Sequence, residues 1–236
     1  MYVGHFAIGL ALQARRPDVP ALPIMLGVGV LDILNGLFIL AGIDRVTPNL
    51  HSGPYLFFDL TFIDWDHSLA MAVLVTLCWG ALFMKDRRVM AVALLAAASH
   101  WVADWPVHND DLALYPHAHD HLGLGLWGLL GTTSWALEGV FAAGLVLYAW
   151  RANARRGVSS LWPVLVLAGL FVQMSPWFSP MLVVARLAEP AAHLAHGALV
   201  AIGFLVPGLL FTWLIRRAEA RASLPVAQRG SAAQAR

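Results

Sequence analysis

Six stretches of this chain are apolar enough and long enough to cross a lipid bilayer as helices: residues 21–43, 65–84, 88–105, 125–150, 161–187 and 192–215. A hydrocarbon core about 30 Å thick needs roughly 20 such residues in helical form. The pattern predicts an all-α protein, a polytopic membrane bundle of six transmembrane helices. A seventh apolar piece, residues 1–13, is too short to span and is expected to form a short N-terminal helix. It has no basic residues ahead of its apolar core, so it does not read as a removable signal peptide. Pro176 and Pro180 are expected to kink or break the fifth run near Met174. Residues 1–215 then form one transmembrane domain, and residues 216–236, polar and rich in Ala and Arg, form a disordered cytoplasmic tail.

Composition agrees with this reading. Hydrophobic residues make up 59% of the chain and charged residues 12%, against about 25% charged in soluble domains. Fifteen Lys and Arg face fourteen Asp and Glu, which leaves no net charge to attract nucleic-acid phosphates. The one cysteine, Cys78, rules out an internal disulfide and reads as core packing within its apolar run. Orientation follows from the basic residues. Thirteen of them, including Arg15, Arg16, Lys85, Arg151 and Arg216, fall on one set of loops and only Arg45 and Arg186 on the other. The basic side is expected to be cytoplasmic, with the C-terminus inside.

The informative residues are the ionisable ones within the runs: His5, Asp32, His67, His100, Asp104 and Glu138. Each is costly at membrane depth, so a functional site is the default reading. No Lys or Arg lies mid-run to neutralise the acids. They must therefore be protonated, solvated, hydrogen-bonded to histidine or bound to a cation. Counting helical rise at about 1.5 Å per residue from the basic anchors places them in one layer, in the outer half of the bilayer. His100 and Asp104 are spaced i,i+4 on one helix face, Pro106 ends that helix, and His108 emerges above the same face. Such a donor set suits zinc, with manganese or iron as alternatives, better than calcium. His5, Asp32, His67, His100, Asp104 and His108 are the candidate metal ligands, all or a subset, holding one ion or two that share a carboxylate. Glu138 follows Thr132, Thr133 and Ser134. It reads as a ligand, an acid behind the ligands, or a protonated packing residue. The His117–His121 run reads as a solvated loop, and the i,i+3 pair His193 and His196 as chance spacing. Gly123, Gly125, Gly128 and Gly131 read as points of close helix approach.

These residues carry a family resemblance. Gly4 and His5 match an early Gly-His, Asp32 the first Asp of a Pro-Asp-x-Asp-His element, and His67 and Ser68 the end of a His-Arg-Gly-x-Thr-His-Ser element. Ser99, His100, Ala103 and Asp104 match a Ser-His-x-x-x-Asp element, with Leu114, Tyr115 and Pro116 following as expected. Over residues 4–116 the chain thus resembles the YdjM-type bacterial inner-membrane proteins, described as membrane-bound metal-dependent hydrolases. It departs from them at Leu34 and Asn35, where the pattern has Asp and His, and at residues 62–64, where Phe, Ile and Asp replace His-Arg-Gly.

The resemblance implies a multi-pass bacterial inner-membrane protein and a metal-dependent hydrolase acting near the outer face of that membrane. Its partners would be the lipid bilayer and a lipid or amphiphilic ester or phosphoester substrate. The metal would lower the pKa of a water molecule, and whichever carboxylate does not ligate, Glu138 or Asp104, would be the general base. Two rival readings use the same residues: a proton- or metal-ion transporter, or a non-enzymatic membrane partner protein whose polar layer fixes helix register.

Overall fold

The computed structural model describes residues 1–224. In chain order these form α1 (Val3–Arg15), α2 (Ala21–Gly27), α3 (Val30–Leu40), β1 (Arg45–Pro48), β2 (Phe58–Phe62), α4 (Asp64–His67), α5 (Leu69–Ala81), α6 (Arg87–Asp104), α7 (Leu126–Leu130), α8 (Thr132–Arg155), α9 (Leu161–Gln173), α10 (Pro180–Val184) and α11 (Ala191–Ala222). The chain is mostly helical, with one small two-stranded sheet.

α1 is the axis of the fold. Its sequence, VGHFAIGLALQAR, is apolar or small around nearly its whole circumference, and such a helix must be covered on every side. Val3, Phe6, Ala7, Leu10 and Ala14 are buried, and the helix packs against α2, α6, α8 and α9. Phe204 and Phe211 of α11 close the remaining side, with the Phe6 and Phe204 rings stacked at 5.6 Å between centroids. α11 packs in turn along α3, and two glycines permit the approach: a Cβ on Gly36 would collide with the backbone of Gly197 and Ala201.

Six membrane spans are not supported. Among the described residues α11 alone is apolar and long enough to cross a membrane as a single helix, and α2 with α3 pass only if taken together as one broken span bent by 52°. The other expected spans fail for local reasons. Ser68 adopts an extended backbone (φ −61°, ψ 149°) and splits residues 65–84 into α4 and the 13-residue α5. α9 stops at Gln173, ahead of Pro176 as the prolines imply, leaving 13 residues and then the five-residue α10. Gly125 and Gly131 have positive φ and bracket α7, so these two are turn residues rather than points of helix contact. α6 and α8 are long enough but not apolar enough.

The all-α expectation also missed a hairpin. β1 and β2 pair antiparallel, Thr47 opposite Asp59 and Pro48 opposite Phe58, where loop had been expected. Cys78 is exposed rather than buried. α11 runs to Ala222, so residues 216–222 of the expected tail are helical. Residues 225–236 lie outside the described residues.

Candidate metal centre

Four elements deliver polar side chains to one point. His5 comes from the first turn of α1, Asp32 from the first turn of α3, His67 from the end of α4, and His100 and Asp104 from the end of α6. Beyond Asp104 the chain turns once more through Pro106, held by the His108 N–H donating to the Asp104 carbonyl at 2.9 Å. That turn brings His108 back over Asp104. His5, His67, His100, Asp104 and His108 are all buried, and Asp32 is partly exposed.

The three histidines facing Asp32 and Asp104 share a pattern. Val28, at the bend between α2 and α3, offers its carbonyl to His100 Nδ1 at 2.7 Å. A carbonyl only accepts, so Nδ1 carries the proton and the neutral ring keeps its lone pair on Nε2. That lone pair faces Asp104 Oδ2 at 3.0 Å and Asp32 Oδ2 at 3.4 Å. His67 places Nδ1 3.0 Å from Asp66 Oδ2 and Nε2 3.6 Å from Asp32 and 3.9 Å from Asp104. His108 places Nδ1 3.0 Å from Asp111 and Nε2 3.8 Å from Asp104. The outer nitrogens of His100 and His108 are thus hydrogen-bonded from behind while the other nitrogen points inward, as metal-ligating histidines are held, whereas His67 only lies beside Asp66.

The inward contacts are not hydrogen bonds. His67 Nε2, His100 Nε2 and both nitrogens of His5 are buried without a hydrogen-bond partner, despite carboxylate oxygens 3–4 Å away. The His67–Asp66 pair is likewise off the hydrogen-bond line. Buried lone pairs facing carboxylates repel unless a cation or proton stands between them. A tetrahedral ion bound at 2.0–2.2 Å would separate its ligand atoms by roughly 3.3 Å, and the inward distances of 3.0–3.9 Å bracket that figure.

Two triads have ligand atoms all within 4.8 Å of one another: His5, His100 and Asp104, and Asp32, His67 and His100. These buried His/Asp clusters could hold a metal ion. His100 has one free nitrogen and can serve only one ion. Asp104 can serve two, because Oδ2 faces His67, His100 and His108 while Oδ1 faces His5 at 3.1 Å and the amino group of Met1. The His5 and His100 rings stack in parallel, 3.8 Å apart, so α1 carries His5 directly over the cluster.

Behind His67 lies a buried acidic pair. Burial and the neighbouring Asp66 push the Asp44 carboxyl up to about 8. Burial also pushes Asp66 well above the usual carboxylate range, and Asn35 Nδ2 donates to its Oδ1 at 3.4 Å.

Glu138 is placed differently from the general base or ligand expected of it. Its Oε1 accepts from the backbone N–H groups of Tyr2 and Gly4 at 2.8 and 3.0 Å, and its Oε2 from the Tyr55 hydroxyl at 2.6 Å. Burial, with Glu138 beside it, pushes the Tyr55 hydroxyl up, so Tyr55 stays protonated and donates. Both Glu138 oxygens are therefore engaged in holding the start of α1. His117, His119 and His121 lie on an exposed loop as expected, with His117 stacked on Phe62. His193 bonds backbone carbonyls of Ile39 and Val46. His196 is buried with Nδ1 unpartnered.

Sequence reasoning missed Asp66 and Asp111. Asp111 had a usable signal, the i,i+3 spacing from His108; Asp66 had only its adjacency to His67. Compared with known protein families, characterised proteins and solved structures, the chain matches none.

Proposed function

We propose that this cluster is the metal centre of a hydrolase acting on a lipid or amphiphilic ester or phosphoester. One observation carries the reading: inward-facing imidazole nitrogens lie 3–4 Å from two carboxylates without hydrogen-bond geometry, while the outer nitrogens of His100 and His108 are hydrogen-bonded from behind. Asp32, His67, His100 and Asp104 would hold the ion, and zinc fits two nitrogen and two oxygen donors. A divalent cation there supplies Lewis acidity, polarising the ester and lowering the pKa of water beside it toward ~7. His5 caps the cluster and faces the far oxygen of Asp104.

His108 is the proton carrier. It lines the adjoining cavity, Asp111 fixes its ring, and its Nε2 stands 3.8 Å from Asp104. In hydrolysis the water oxygen bonds to the acyl carbon or phosphorus as the bond to the leaving alcohol oxygen breaks. His108 takes the water proton and returns it to that oxygen. Asp104, whose two oxygens already face His5, His67, His100, His108 and the Met1 amino group, is better placed to ligate than to accept this proton.

The resemblance to the YdjM-type family supports the same reading, as does the arrangement of α11. We place the protein at a bacterial inner membrane, held by α11, with Arg216, Arg217 and Arg221 at its cytoplasmic end. Apolar side chains left exposed on other helices, such as Val73 and Leu77 of α5 and Val140 of α8, favour a lipid surround.

Elemental analysis of the purified protein tests the centre. Wild type should carry a stoichiometric transition metal. His100→Ala and Asp104→Ala should each lose it, and His119→Ala should keep it. Metal-free wild type that is fully folded and inert toward esters would overturn the reading.

A further inference from the structure

A cavity of about 330 Å³ adjoins the cluster. Asp32, His67 and His108 form part of its wall. Most of the rest is apolar and comes from three elements: Leu170 of α9, Met181 of α10, and Leu199 and Val206 of α11. A pocket lined mainly by apolar side chains with a few polar groups at one end suits an amphiphilic guest. Ligand sites run from about 300 to 1,000 Å³, and this cavity, at the lower end of that range, suits a single hydrocarbon chain. Ile202 and Val206 line it and are also 55% and 53% exposed. The cavity therefore opens through the apolar face of α11, the helix long and apolar enough to cross a membrane.

A second observation points to a ligand with a polar end. His196 is 1% exposed, lines the cavity, and leaves Nδ1 without a hydrogen-bond partner. Its ring packs on Phe58 at 4.3 Å, which fixes its plane. A buried unpaired ring nitrogen is costly unless something in the cavity completes it. Gly203 supplies the space: a Cβ there would meet only the Tyr2 ring, at 3.9 Å.

We propose that the cavity binds the single hydrocarbon chain of a fatty-acyl amphiphile, whose polar group bonds His196 and reaches Asp32 and His67. This names the substrate class of the hydrolytic centre and rests on that reading for the chemistry at the polar end. Chain binding itself needs no metal.

The test uses the full chain in lipid nanodiscs and a fluorescent palmitate analogue, in metal-loaded and chelator-treated forms. Wild type should bind it saturably in both forms. Gly203→Leu, which fills the cavity, should weaken binding by about tenfold or more, and His196→Leu by roughly fivefold. Leu209→Ala, on the exposed side of α11, should leave it unchanged. Displacement by unlabelled acids should strengthen from butyrate to palmitate; this series needs no variant, so it decides the matter even if Gly203→Leu fails to fold. No dependence on chain length, or equal binding by wild type and folded Gly203→Leu, would overturn the proposal. Cleavage of acetate esters without palmitate binding would overturn the chain site and leave the hydrolase standing. Palmitate binding in a protein that takes up no metal would support the chain site and sink the hydrolase.

Discussion

His108 and Asp104 are neighbours on one turn, yet their substitution should have different consequences. Asp104 touches His5, His67, His100 and His108, so its loss removes the ion and activity together. His108→Gln keeps a hydrogen-bonding side chain but no group able to carry a proton. It should retain metal while turnover falls by about 10²–10⁴, the usual worth of general acid–base catalysis; loss of metal with it would make His108 a ligand instead. Asp44 gives a pH signature. Its carboxyl titrates near 8 in the fold against an ordinary 3.8, so between those values the folded state holds a proton that the unfolded state has released. Stability must then fall as pH rises through that window. In thermal melts from pH 5 to pH 8, the Tm of wild type should fall relative to that of Asp44→Asn as pH rises. Parallel slopes would show that Asp44 does not titrate there. Much of the cluster was legible at this scale because an acid or histidine in an apolar run is conspicuous by itself. His100 and Asp104 announced themselves by i,i+4 spacing. The role of Glu138 was not legible, because its partners Tyr2, Gly4 and Tyr55 lie 136, 134 and 83 residues away.

Among the elements, α1 depends most on remote groups. The first N–H groups of a helix have no partner within it, and here Glu138 of α8 accepts from those of Tyr2 and Gly4. Glu138→Ala would leave the Gly4 N–H and the Tyr55 hydroxyl buried without acceptors, at about 1–3 kcal/mol for each group, and would leave the Tyr2 N–H only the Tyr55 oxygen at 3.2 Å. A drop in Tm by several degrees is expected, together with weaker metal retention, since α1 carries His5. Tyr55→Phe should cost less, because it removes the donor along with the bond; an equal or larger loss would put Tyr55's main role elsewhere. Element boundaries were the least legible feature of the sequence. Hydropathy counts apolar residues without registering how the backbone turns between them. It did not see the extended Ser68 that divides α4 from α5, nor the 52° bend between α2 and α3. Both breaks serve the cluster: one follows directly on His67, and the other presents the Val28 carbonyl to His100.

Taken whole, the molecule gathers its candidate metal ligands at the crossing of α1, α3, α4 and α6, with α11 closing one side of the adjoining cavity. If α11 anchors the chain as proposed, the protein should sediment with membranes and resist alkaline carbonate extraction. Release into the soluble fraction by carbonate would count against the anchor. The central position of α1 has a further consequence for how the molecule is made. α1 cannot be enclosed until α8 and α11, more than a hundred residues downstream, have been synthesised. Closing such long loops is slow, because the entropy lost in bringing distant segments together precedes the contacts that repay it. During synthesis, a nascent chain must therefore keep the apolar α1 sheltered, by lipid or by a chaperone, until α11 has left the ribosome.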